Sequence, residues 1–127
     1  MRAIVDTHVA LWWLADDPRL GGRHREILAD PDHQICWSAA SSFELSIKLA
    51  LGKVELPEPA AEFFRKLLGE DGFEWLPIEN RHCARLAELP VHHRDPFDRM
   101  LVAQAQEEDV PLLSADPKLA GYDVVIL

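Results

Sequence analysis

The sequence predicts an α/β fold, a three-layer α/β/α sandwich with a central, mostly parallel sheet. Two observations carry that prediction. Short apolar runs alternate with longer amphipathic stretches along the chain. The runs are apolar at successive positions, as strands covered on both faces require. No repeat, low-complexity tract or linker interrupts residues 1–127, so a single domain is expected.

Arg2 to Val5 opens the chain as a strand, too short and too β-branched for a helix. Asp6-Thr7 follows as a capping pair, and His8 to Ala15 reads as a helix stopped by Asp16-Asp17-Pro18. Arg19 to Ala29 is a second helix, amphipathic through Leu20, Ile27 and Leu28, and Asp30-Pro31-Asp32 turns the chain. Gln34 to Trp37 is the second strand. Ser38 caps a helix over Ala39 to Leu51, with Gly52 at its C-terminal end and Phe43, Ile47, Ala50 and Leu51 as its expected core face. After the Leu56–Pro59 loop, Ala60 to Leu68 forms a helix and Phe73 to Leu76 the third strand. Asn80 is read as the cap of a helix reaching about Leu89, ended by Pro90. Asp95 caps a helix that has Pro96 as its first residue and runs to about Glu108. Pro111 to Leu113 is the fourth strand, Pro117 opens a short helical turn, and Asp123 to Leu127 is a final strand.

Composition narrows the class. Hydrophobic residues make up 48% and charged residues 28%, as in soluble globular chains. The apolar runs are far too short to span a bilayer, and Asp6 interrupts the first too early for a signal peptide, so a cytoplasmic location is expected. Cys36 and Cys83 lack close spacing and sit among apolar neighbours, which predicts buried free thiols. A net charge of −9 opposes phosphate binding unless a divalent cation neutralises a cluster of acids or a basic partner covers them.

Such a cluster is readable. Asp6 follows strand one, Asp116 follows strand four, and Asp98 starts the helix that leads into strand four. If strands one and four are neighbours at a switch point, these carboxylates converge at their carboxyl ends. Glu44, on the helix after strand two, leans back toward the same end. Each has a plainer reading: Asp6 as an N-cap, Asp95 and Asp98 as capping acids, Asp116 as a turn residue before Pro117, and Glu44 as the i,i+4 partner of Lys48.

The segments IVDTHVALWWL, SAASSFELSIKLALGKV, HRDPFDRMLVAQA and LLSADPKLAGY, in this order over nearly the whole length, resemble the PIN-domain ribonucleases, specifically VapC-type toxins of toxin–antitoxin pairs. The resemblance implies a metal-dependent endoribonuclease that cleaves RNA such as tRNA or rRNA. It puts Asp6, Glu44, Asp98 and Asp116 in the acidic site, with Asp6, Asp98 and Asp116 on Mg²⁺ or Mn²⁺ and Glu44 on the attacking water. Asp95 and Ser114 are accessory; Ser114 stands where the family often has Thr. Homodimerisation and inhibition by a cognate antitoxin are implied as well.

Arg94, Arg99, His92 and His93 border the expected site and are candidates for steering phosphate, against the plainer reading that Arg99 pairs with Asp95. Zinc is disfavoured, because no further Cys or His has ligand spacing around His92-His93. Trp12 and Trp13 are read as core or interface residues rather than base-stacking platforms. The main alternative function is a non-catalytic PIN-like binding module, against which the presence of all four acids counts. A haloacid-dehalogenase-like phosphatase needs a second Asp two residues after the first, where His8 stands; a receiver domain needs a Lys that Ser114-Ala115-Asp116 does not offer.

Overall fold

The computed structural model describes all 127 residues. Strands β1 (Arg2–Val5), β2 (Gln34–Ser38), β3 (Glu74–Leu76) and β4 (Leu112–Leu113) form one parallel sheet in the order β3-β2-β1-β4. The chain runs outward from β1 to β3 and then returns to the other side of β1 as β4. The switch point expected from the sequence therefore lies between β1 and β4, and a crevice opens at their carboxyl ends.

Alternate strand residues feed two cores. Ala3, Val5, Ile35, Trp37 and Leu113 face one side, with Val9 and Ala10 of α1 (Thr7–Leu14), Ile27 of α2 (Gly22–Ala29), Leu45 of α3 (Ala39–Ala50) and Phe63 and Leu67 of α4 (Ala60–Leu68). Ile4, Cys36, Leu76 and Leu112 face the other, with Leu101, Val102 and Ala105 of α6 (Pro96–Glu108). Helix α5 (Asn80–Glu88) packs along α6. A period of two thus sends consecutive apolar side chains to opposite faces, giving the three expected layers.

The structure corrects several readings. Helix α3 turns Ala40, Ser41, Glu44 and Leu45 inward, whereas Phe43 and Leu51 are more than 60% exposed and Ile47 is also exposed. The apolar stripe lost to two polar side chains, Ser41 and Glu44, that point toward the switch point; Phe43 packs only edge-on against Phe97 at 5.7 Å. Helix α2 begins at Gly22 rather than Arg19, because Asp17 accepts the Arg19 N–H at 2.9 Å and holds a turn there. Glu79, not Asn80, is the N-cap of α5; its N–H donates to His82 Nδ1 at 2.9 Å. The final strand reduces to one parallel bridge, Leu112 with Ile126, since β4 offers only two residues to pair with. Cys36 is buried, and burial pushes its thiol up to about 12, but Cys83 is exposed. Gly52 ends α3 at φ +70°, as expected.

One buried polar link ties α6 to the sheet. Gln104 is fully buried; its Oε1 accepts the Ser38 hydroxyl and its Nε2 donates to the Pro77 carbonyl at 3.1 Å. Truncation leaves both partners unsatisfied. Gln104→Ala should lower the unfolding free energy by about 2–4 kcal/mol, measured by urea denaturation at neutral pH.

Candidate active site

Asp6 ends β1 and caps α1, because the strand delivers it to the crevice and an extended conformation there suits an N-cap. It is 4% exposed. One oxygen accepts the His8 N–H at 3.1 Å and the other accepts the Ser114 hydroxyl at 2.7 Å. The His8 ring stands 3.8 Å from the same carboxylate. Burial pushes the Asp6 carboxyl up, but hydrogen bonding from His8 and Ser114 outweighs it and holds Asp6 below the ordinary range. In return, the hydrogen bond to Asp6 raises His8.

Ser114 links both strands of the switch point. It donates to Asp6 and accepts the Asp116 N–H at 3.1 Å. Asp116 then caps a 3₁₀ turn (Pro117–Leu119), taking the Lys118 N–H at 2.9 Å on one oxygen. Its other oxygen lies 3.1 Å from His93 Nε2, and the same nitrogen lies 2.9 Å from Asp98 Oδ2. The donor atoms of His93, Asp98 and Asp116 all fall within 4.8 Å of one another.

Asp98 sits on the first turn of α6, below the Asp95 cap that accepts the Phe97 and Asp98 N–H groups at 2.8 and 3.1 Å. Burial, followed by the charges of Asp6, Asp95 and Glu44, raises its carboxyl to about 7; His93 opposes the rise. Asp6, Asp98 and Asp116 line a crevice of about 220 Å³ with His8, Val9 and Trp12. Glu44 is buried beside them. Lys48 donates to its Oε2 at 2.8 Å, while Oε1 has no partner.

This donor set fits a divalent cation. Asp98 and Asp116 offer hard oxygens within 4.8 Å of each other, Asp6 lines the same crevice, burial and then neighbouring acids push the Asp98 carboxyl up, and a buried Glu44 oxygen lacks a hydrogen bond. Elsewhere, Glu79, His82 and Glu108 also cluster, but Arg81 already neutralises them at 2.7 Å from Glu108 and 3.2 Å from Glu79. The largest cavity, about 670 Å³ beside the C-terminal segment, has only exposed charged side chains, Arg85, Glu88, Asp109 and Asp123.

The structure brings Asp6, Asp98 and Asp116 into one crevice, with Glu44 buried alongside, Ser114 between two of them and Asp95 as the adjoining cap. Arg99 does not reach it: the guanidinium donates to the Leu89 carbonyl at 3.3 Å and forms no ion pair with Asp95. Arg94 is exposed, and His92 stacks edge-on against Tyr122. Trp12 both packs against the core and lines the crevice, whereas Trp13 only packs. Sequence reasoning overlooked His8; its place two residues past a capping Asp was the available signal.

The family model for the PIN domain matches residues 3–125. The chain belongs to the PIN-domain family. It is similar to Ribonuclease VapC22 of Mycobacterium tuberculosis (strain ATCC 25618 / H37Rv), 27% identical over 120 residues, which span 94% of this chain and 90% of that one. This PIN domain also shares its fold with VapBC2 from Rickettsia felis, solved bound to a promoter DNA fragment: TM-score 0.72, 16% identity, 100% of this chain and 98% of that one covered. FitAcB from Neisseria gonorrhoeae superposes with a TM-score of 0.67 at 18% identity over 98% and 96% of the two chains.

The crowding of acids has a thermodynamic signature. Asp98 has a folded value above its unfolded one, so ionising it destabilises the fold. The cost is absent below about pH 4, grows as the pH rises to about 7, and is constant above. In EDTA, Asp98→Asn should therefore raise the unfolding free energy by about 2 kcal/mol at pH 8, and the gain should vanish near pH 4, as read by urea midpoints.

Proposed function

We propose that this PIN-domain chain is a divalent-ion-dependent endoribonuclease and the toxin of a toxin–antitoxin pair. The observation that carries this reading is the convergence of Asp6, Asp98 and Asp116 on one small crevice from three separate parts of the chain. The relative named a ribonuclease supports the activity. A toxin–antitoxin complex from Klebsiella pneumoniae and VapBC-5 of Mycobacterium tuberculosis, from the VapBC family of toxin–antitoxin systems, are among the fold's neighbours and support an antitoxin partner in a toxin–antitoxin hetero-oligomer; homodimerisation is part of the same proposal. No helix is long and apolar enough to cross a membrane.

Asp6, Asp98 and Asp116 are assigned to hold Mg²⁺ or Mn²⁺, both ions that favour oxygen ligands. Held by these three carboxylates, such an ion would supply water activation and offset the charge that builds on the phosphate. Glu44 is assigned the water's proton: the water oxygen forms the new bond to phosphorus, the bond to the leaving ribose oxygen breaks, and that oxygen is protonated from solvent. Ser114 and the start of α1 hold Asp6 ionised and in place. The same acidity that repels RNA is what recruits the cation, and a basic side chain from an antitoxin would compete for it. The substrate class is cellular RNA, with tRNA and rRNA loops as the first candidates.

Asp6→Asn keeps the capping shape and removes the charge. It should reduce cleavage of purified tRNA and rRNA in Mg²⁺ or Mn²⁺ by at least about 10³-fold, with the melting temperature within a few degrees of wild type. Undiminished cleavage by the folded variant contradicts the reading. Glu44→Gln should lower kcat about 10²-fold while leaving binding of the ion intact.

A further inference from the structure

His93 is the one nitrogen donor in its cluster with Asp98 and Asp116, and an imidazole in such a place has two possible duties. It can coordinate the ion through Nε2, or it can donate Nε2–H to the acids. The surroundings of its other nitrogen decide. The Asp95 N–H donates to His93 Nδ1 at 3.4 Å. A nitrogen that accepts is unprotonated, so in the neutral ring the hydrogen stands on Nε2. Nε2 in turn lies 2.9 Å from Asp98 Oδ2 and 3.1 Å from Asp116 Oδ2, within reach of both carboxylates.

The loop that carries the ring is itself clamped. The His93 and His92 N–H groups donate to the Tyr122 hydroxyl at 2.9 and 3.2 Å. Tyr122 is 5% exposed and lies past the 3₁₀ turn that Asp116 caps. On the next residue back, a Cβ at Gly121 would stand 3.2 Å from the His92 ring, a tight contact that the exposed ring would have to relieve by a shift of a few tenths of an ångström. The region that presents Asp116 therefore also fixes the backbone of the residue that bridges to Asp98.

We infer that His93 is a positioning residue that donates its Nε2–H to Asp98 and Asp116 and holds the pair together, without itself coordinating the ion. The inference rests on the proposed reading of the crevice as a divalent-ion site. It accounts for two acids staying 2.9 and 3.1 Å from a single atom in a crevice crowded with negative charge. Hydrogen-bond partners behind ion ligands commonly change affinity 10–100-fold when removed.

The first test needs no ion. Nitrogen-15 shifts of the His93 ring in the metal-free protein should show a protonated Nε2 and an unprotonated Nδ1; the opposite tautomer overturns the inference. The second uses MnCl2 as the probe. Calorimetry should give a Mn²⁺ affinity about tenfold weaker in His93→Ala and restored to within about threefold in His93→Gln, whose amide N–H can stand where Nε2–H stood. Electron spin-echo spectroscopy of Mn²⁺ on the wild type should show no directly bound nitrogen. A strong nitrogen coupling that His93→Gln abolishes makes His93 a ligand and overturns the inference, as does alanine binding Mn²⁺ as tightly as wild type. If the wild type binds no Mn²⁺ at all, the ion-site reading fails, and the tautomer measurement still judges the hydrogen bonding. Circular dichroism of each variant separates loss of fold from loss of the ion.

Discussion

The crevice depends on keeping one buried carboxylate charged. Asp6 lies where β1 hands over to α1, almost wholly out of water. Burial alone would neutralise it. The start of a helix, the Ser114 hydroxyl and the His8 contact reverse that tendency. Once Asp6 is a fixed anion, everything near it feels its field. Asp98 is displaced upward, His8 upward, and the crevice becomes a place where positive charge is favourable. Two acids lining one crevice thus differ because one is supplied with hydrogen-bond donors and the other is buried and crowded by like charges without them.

Stability and the proposed chemistry pull against each other here. The helices and the two cores bury apolar side chains in the usual way, and the buried Gln104 link fastens α6 with full hydrogen bonding. At the carboxyl ends of β1 and β4 the same fold tolerates repulsion among acids and an unpartnered Glu44 oxygen. Buried polar atoms without a partner also occur away from the crevice, at His82 Nε2 and Arg99 Nε, but only at the crevice does one stand beside crowded carboxylates, as the proposed ion site requires.

The strands, their parallel pairing and the two-sided covering were legible because each run is short and mostly apolar, and the first two end on capping residues. The meeting of Asp6, Asp98 and Asp116 followed from the switch point, a property of strand order. Side-chain orientation on α3 was not legible. Phe43, Ile47 and Leu51 form as good a stripe as the buried set, and only tertiary demand from Thr7, which donates to Ser41 at 2.8 Å, and from the acidic crevice turned the helix the other way. His93 opens one of the segments that carry the family resemblance, yet its bridge between Asp98 and Asp116 depends on a Tyr122 hydroxyl 29 residues away that no local pattern announces. Likewise Arg99 abandons its i−4 acid because a nearer carbonyl, that of Leu89, meets it across the loop.

The Ser114–Asp6 hydrogen bond joins positions 108 residues apart. During synthesis the ribosome releases Asp6 first and Asp116 far later, and the intervening strands must be laid down before β4 can slot against β1. A growing polypeptide therefore holds its acids on separate, unassembled pieces. The crevice is therefore complete only after β4 and the residues behind it have left the ribosome and docked beside β1.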